Sequence, residues 1–200
     1  MKNIKISFLL MVCICSLSIT AQDLLLKAGE TITVSAGEQL RVVNGLTVES
    51  TGILQILSND TKSGSLIVEG SSTGDIIYKR YVGANKWLNI SSPVTSQVVN
   101  NFVTNVDNDI STAGNPVHTY GVSYYKNTNI AGKRWTYHSP AGEAVNQEDL
   151  TQLNSGYLIN AQGYSMKRDA AGTFSFIGEL ATDNVVIDID TETGGHNWHS

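Results

Sequence analysis

From Thr31 to Val82 the sequence returns every 7–12 residues to a short run in which apolar and polar residues alternate. Gly37, Asn44-Gly45, Gly52, Gly64, Gly70 and Gly74 stand between the runs. A period of two puts alternate side chains on opposite faces of an extended backbone. Ile32 and Val34, Leu40 and Val42, Leu46 and Val48, Leu54 and Ile56, and Leu66 and Val68 therefore share one face of their strands. Thr33, Arg41, Thr47, Gln55 and Ile67 take the other. Runs of four or five residues between glycine turns predict a ladder of short strands, stacked as a meander or wound as a short β-solenoid. Gly29, Gly37, Gly45 and Gly52 lie 8, 8 and 7 residues apart before the spacing becomes irregular. That unevenness favours a few loosely repeated rungs over a strict solenoid code.

The chain opens with Lys2 and Lys5, an apolar run Ile6–Ile19, and Thr20-Ala21 before the polar Gln22. These are the parts of a secretory signal peptide, residues 1–21, with cleavage near Ala21-Gln22. The apolar run is short for a membrane span, so no transmembrane segment is expected in the mature chain. Both cysteines, Cys13 and Cys15, lie in the leader. The mature chain would hold neither a disulfide nor a thiolate metal site. The whole chain has 13 basic and 18 acidic residues. With no basic stripe, nucleic acid is excluded as a partner.

After the ladder, Asp75–Val82 reads as the longest strand and Trp87–Ile90 as the next, ended by Pro93. Ser96–Thr104 reads as the one helix, with Val98, Val99, Phe102 and Val103 on one face and Thr95 or Ser96 as cap. Val117–Lys126 and Lys133–His138 read as a hairpin around the Asn- and Gly-rich connection Asn127–Gly132. Glu143–Asn154 is polar with little periodicity. Further strands are expected at Gly156–Asn160, Tyr164–Arg168, Gly172–Gly178 and Asn184–Asp190. The expected fold is all-β: residues 22–84 a Gly-punctuated ladder or irregular β-solenoid, and residues 85–200 an antiparallel, β-sandwich-like region with one short helix. The sequence stops while entering a strand at His196–Ser200, as a fragment would.

Several phrases occur in an order that resembles a family of exported β-rich surface proteins of Bacteroidota. These are LTVESTGILQILSNDTKSGSLIVEGSSTGDIIYKRYV, WLNISSPV, SGYLI (Ser155–Ile159), TFSFIGEL (Thr173–Leu180) and Gly195-His196-Asn197-Trp198. Members often carry a C-terminal type IX secretion sorting domain, which is absent here. The resemblance implies export, a cell-surface or secreted location and the export machinery as a partner. It transfers no catalytic residue and no cofactor.

No coherent catalytic set stands out. There is no Gly-x-Ser-x-Gly elbow and no phosphate-binding glycine loop before a helix. Ser123 and Lys126 have a Ser-x-x-Lys spacing, but on an expected strand and without companion motifs. Asn105, Asp107 and Asp109 alternate as calcium ligands do. Ile110 and Pro116 stand where the helical calcium loop needs Gly and Glu, which leaves an irregular site or a plain loop. His196 and His199 would point to opposite faces of a strand, and Asp188, Asp190 and Glu192 read as a solvated face; no metal is expected at either. His118 and His138 fit solvent-edge packing in the hairpin.

Aromatic side chains crowd the hairpin: Tyr120, Tyr124, Tyr125, Trp135 and Tyr137. Buried, they would be cross-strand pairs; exposed, Tyr124, Trp135 and Tyr137 could stack on sugar rings. The sequence therefore predicts a non-catalytic exported scaffold or adhesion-type protein with a cell-surface protein or glycan as partner. The alternative is a carbohydrate-binding module using the hairpin aromatics.

Overall fold

A computed structural model describes residues 18–113, 119–142, 144–182 and 184–185. Three turns of three strands come first. Ser18–Ala21 (β1), Leu24–Leu26 (β2) and Thr31–Val34 (β3) make one turn. Gln39–Val42 (β4), Gly45–Val48 (β5) and Ile53–Ile56 (β6) make the second, and Ser65–Val68 (β7), Ser71–Thr73 (β8) and Asp75–Val82 (β9) the third. Each strand pairs in parallel with the strand one turn on, giving the stacks β1-β4-β7, β2-β5-β8 and β3-β6-β9. The ladder is thus wound as a β-solenoid, more regular than the glycine spacing suggests. Leu24 pairs with Leu46 and Thr31 with Ile53, a repeat of 22 residues.

The repeat is carried by the inward aliphatics. Leu40 lies over Leu66, Val42 over Val68, Leu26 over Val48, and Val34 over Ile56. All but Leu66 and Val68, which are partly buried, belong to the buried core, at roughly 1.5–3 kcal/mol for each side chain fully buried. The corners are set locally. Lys27-Ala28-Gly29-Glu30 and Ser35-Ala36-Gly37-Glu38 form the same turn: the glutamate carboxylate accepts from the Lys27 or Ser35 amide at 2.9 and 3.0 Å, with glycine at φ 77 and 92. Two corners depart from the pattern: Gly74 alone joins β8 to β9 where residues 49–52 join β5 to β6, and the β6–β7 corner is longer than its counterpart. Residues 57–64 span the β6–β7 connection where residues 35–38 span β3–β4, so Gln39 pairs with Ser65, 26 positions on. The extra residues make a small hairpin closed by a Ser58–Ser63 bridge, with the Asn59 side-chain oxygen accepting from the Thr61 and Lys62 amides.

The chain continues through Trp87–Ile90 (β10), helix α1 (Val99–Thr104), Thr112–Ala113 (β11), Thr119–Tyr120 (β12), Val122–Tyr125 (β13), Trp135–His138 (β14), Gln147–Glu148 (β15), Tyr164–Lys167 (β16) and Gly172–Glu179 (β17). Five of these strands form a sheet in the order β10-β16-β13-β14-β15, antiparallel except for β14 with β15. β17 returns to the solenoid and pairs antiparallel with all eight residues of β9, so strands from both sides of residue 84 share one sheet, β17-β9-β6-β3. Phe174 and Phe176 of β17 pack on Phe102 of α1, with ring centroids 5.8 and 4.9 Å apart. The protein is all-β; among the described residues there is one short α-helix, and none of the sheets closes into a barrel. No helix among the described residues is long and apolar enough to cross a membrane.

Three expectations need correction. α1 begins at Val99, later than expected, because Ser96 adopts φ 58 and the Thr95 hydroxyl donates to the Glu179 carbonyl. Its buried face is the expected Val99, Phe102 and Val103. Gly156–Asn160 is not a strand: Asn154, Ser155 and Gly156 all have positive φ. The segment then makes only single bridges, Val98 to Tyr157 and Ser92 to Asn160. The first hairpin strand is broken at Gly121 into β12 and β13.

Most of the expected leader lies outside the described residues. Its last four, Ser18–Ala21, run as β1 along Gln39–Val42. The expected strands at Asn184–Asp190 and His196–Ser200 fall almost wholly outside the described residues.

Candidate recognition surface

Register assigns each hairpin aromatic to a face of the five-stranded sheet. Ser123 lies opposite Tyr137, Tyr124 opposite Thr136 and Tyr125 opposite Trp135. Tyr124 therefore points to the face that also carries Val122, Tyr164, Met166 and His138, all buried. Trp135 and Tyr137 point to the other face with Tyr125 and, on edge strand β10, Trp87. Sheet register separates Tyr124 from the other two expected sugar-stacking residues and brings Trp87 to them instead.

On the inner face the polar groups satisfy one another. The Tyr124 hydroxyl donates to one Glu148 carboxylate oxygen and the Lys126 ammonium to the other. Burial first, then Glu148, pushes the Tyr124 phenol well above its usual range. Burial works to raise the Glu148 carboxyl, but the bonds from Lys126 and Tyr124 outweigh it and hold the group below its usual value. His138 is buried and stacked on Tyr120 with centroids 5.1 Å apart. Its Nδ1 accepts from the Leu150 amide at 3.2 Å, and burial lowers its pKa against the opposing pull of Asp149. His138 is thus an interior residue, not one of solvent-edge packing. Ser123 is buried and donates to the Ser165 carbonyl at 3.3 Å, while Lys126 is committed to Glu148. These two have no Ser-Lys chemistry together.

The outer face is different. Trp87 is 47% exposed and Trp135 36%. Trp87 meets Tyr137 edge-on at 6.0 Å, and Tyr125 meets Trp135 edge-on at 5.6 Å. Such edge-to-face contacts brace the rings against one another, and the exposed part of each tryptophan remains open to a ligand. A groove of about 150 Å³ opens beside Trp87, lined also by Thr112, Thr119, Tyr137 and Lys167. On the other side of β10, a larger cleft of about 390 Å³ separates the 58–63 hairpin from Arg80, Leu88, Asn89 and Ile90. The Arg80 guanidinium lies over the Tyr78 ring at 5.3 Å.

The Asn105–Asp109 loop is occupied internally. Arg168, which is buried, donates to the carbonyls of Asp107 (2.8 Å), Asn108 (2.5 Å), Thr173 (2.8 Å) and Ala170 (3.2 Å), with its other nitrogen 4.0 Å from the Asp109 carboxylate. Asn105 and Asp109 spend their side chains on the Asp107 and Ala170 amides. A guanidinium thus stands where an irregular calcium site would need its ion. Among the described residues no cluster of three His, Cys, Asp or Glu could hold a metal. His118, Asp188, Asp190, Glu192, His196 and His199 lie outside the described residues.

Trp87 escaped the sequence reading as a site residue because it begins a strand 48 residues before Trp135. Only the pairing β10-β16-β13-β14 brings it over to Tyr137. Alternation within WLNI, with Trp87 and Asn89 on one side and Leu88 and Ile90 on the other, is the one signal that could have marked its outward direction. Comparison with protein-family models, curated proteins and solved structures returned no match.

Proposed function

We propose that this protein is a non-catalytic, exported cell-surface or extracellular binding module, in which the solenoid is a stem and the five-stranded sheet the recognition element. The observation that carries the reading is the outward row of Trp87, Tyr137, Tyr125 and Trp135, two of them tryptophans with a third or more of their surface in water. Large exposed aromatics on a rigid sheet are costly to leave unpartnered and are the usual anchors of a binding surface. The signal-peptide pattern and the family resemblance support export. The engagement of Glu148 by Lys126 and Tyr124, and of His138 by the Leu150 amide, supports a binding role over a catalytic one.

Between a protein partner and a glycan, the exposed rings beside a largely apolar groove with a few polar side chains favour the glycan, because indole faces stack on the C–H face of sugar rings while Thr112, Thr119 and Lys167 can bond hydroxyls. A polysaccharide pull-down with the purified chain tests this. Wild-type protein is expected to bind a polysaccharide, with Trp87→Ala and Trp135→Ala each weakening binding roughly tenfold or more, as aromatic anchors do. Tyr124→Phe, on the inner face, should leave it unchanged. Binding indifferent to both tryptophans would remove the aromatic face from the reading.

A further inference from the structure

The groove beside Trp87 and the cleft beside Arg80 border the same strand. Trp87 and Asn89 project from β10 on one face, about 7 Å apart along the strand, and each lines one of the two depressions. The charge along this track differs from that of the chain. The two linings contain Lys62, Arg80 and Lys167 against Asp60 alone, in a chain with 13 basic and 18 acidic residues. None of the three cations meets a carboxylate within 4.0 Å among the described residues, whereas Arg41, Lys126 and Arg168 each have one.

The cleft is also bordered by the corner that lengthens the 22-residue repeat, the Ser58–Ser63 hairpin. Insertions in repeat folds map to loops that often carry binding. The stem of Lys62 lies across Gly37, where a Cβ would come within 2.7 Å of its Cδ. Arg80 is braced on Tyr78. Both cations are thus held in place by their aliphatic or ring contacts while their charged ends remain unpaired.

From this juxtaposition we infer that the two depressions form one continuous track across β10 for an anionic polysaccharide chain. Trp87 and Tyr137 stack a sugar ring, and Lys167, Arg80 and Lys62 receive its carboxylate or sulfate groups. The inference rests on the glycan reading above and adds the charge and the length of the ligand: a polymer is needed, because a single sugar cannot reach both sides of the strand. Asn89, on the outward face at the edge of the Arg80 cleft, can form hydrogen bonds with hydroxyl groups through its side-chain amide. Three scattered cations are too few for a nucleic-acid backbone, whose recognition needs many phosphate contacts.

Affinity electrophoresis of the full chain in gels containing polygalacturonate, dextran sulfate or neutral dextran tests the inference, with a single-stranded oligonucleotide as competitor. The acidic polymers should retard the protein more strongly than neutral dextran, and the difference should shrink as salt is raised. Arg80→Gln and Lys62→Gln should each weaken the acidic interaction about two- to fivefold, the scale of an exposed ion pair, and leave retardation by dextran unchanged. Lys62→Gln keeps the test valid should Arg80→Gln disturb packing on Tyr78. Preference for polygalacturonate identifies carboxylates and preference for dextran sulfate identifies sulfate esters; both support the track. Retardation that depends on Trp87 but is equal for neutral and acidic polymers, or charge variants that match wild type, would overturn the track and leave the glycan reading standing. Displacement by the oligonucleotide at polymer-like concentrations would also overturn it. No retardation by any polymer would remove both.

Discussion

Arg168 shows how much one buried side chain can organise. Its guanidinium gathers the carbonyls of Asp107, Asn108, Ala170 and Thr173, and Asn108 below it donates to Phe102 and accepts from the Ser175 amide. These bonds tie the 106–108 turn to β17. Arg168→Met would leave the buried Asn108 carbonyl and three part-buried ones without their donor, and the expected loss is about 3 kcal/mol, read as a fall in the urea midpoint. Arg168→Lys should not restore it, since an ammonium lacks the planar fork; a lysine variant as stable as wild type would contradict this role. His138 makes a second test. Burial lowers its pKa, so the folded ring refuses a proton that the unfolded chain accepts below about pH 6.5. Stability should therefore be full above that pH and decline as pH falls below it. The groups facing the ring are Asp149, Glu148 and Tyr120, and none of them reverses that sign. His138→Gln keeps an acceptor for the Leu150 amide and should flatten this acid limb in urea titrations. An unchanged slope would place the titration elsewhere.

At the scale of elements, most strands were legible in the sequence, because a half-buried strand writes its period of two into Leu40/Val42 or Leu54/Ile56. β9 and β10 end where the sequence says they should. The winding was not legible. Parallel stacking depends on a 22-residue register that the glycines, scattered over different corners and offset by the 58–63 hairpin, do not repeat. Tyr157 and Ile159 alternate with the buried Leu158 as a strand would, yet three positive-φ residues precede them and no partner strand receives them. The outward face of the site was legible only in part: Trp135 and Tyr137 share a face by their spacing, but the inward turn of Tyr124 and the arrival of Trp87 depend on pairing between strands. The stacking itself can be tested at the glycines. A Cβ at Gly70 would fall 1.4 Å from the Asn44 carbonyl oxygen, one turn back in the solenoid, whereas Gly132 in the hairpin loop, at φ 80, has open space around it. Gly70→Ala is expected to cost more than about 3 kcal/mol, against about 1–2 for Gly132→Ala, where only backbone strain is at stake. Equal thermal shifts for the two variants would contradict the close approach of the turns.

For the whole molecule, β17 is the element that joins stem and sheet. It covers the open edge of β9, which would otherwise be a template for aggregation, and carries Phe174 and Phe176 into the core against Phe102. The same return of the chain sets the five-stranded sheet beside the solenoid hairpin, so that edge strand β10 runs between two depressions with Trp87 at one of them. Recognition at this strand is the central claim, and the tryptophan itself can report on it. In a chain carrying Trp135→Phe and Trp198→Phe, Trp87 is the only indole left of three. Titration with polygalacturonate should then shift its fluorescence emission to shorter wavelength in a saturable way, as stacking removes water from the ring. Emission that stays unchanged at polymer concentrations which co-sediment the protein would contradict recognition at β10.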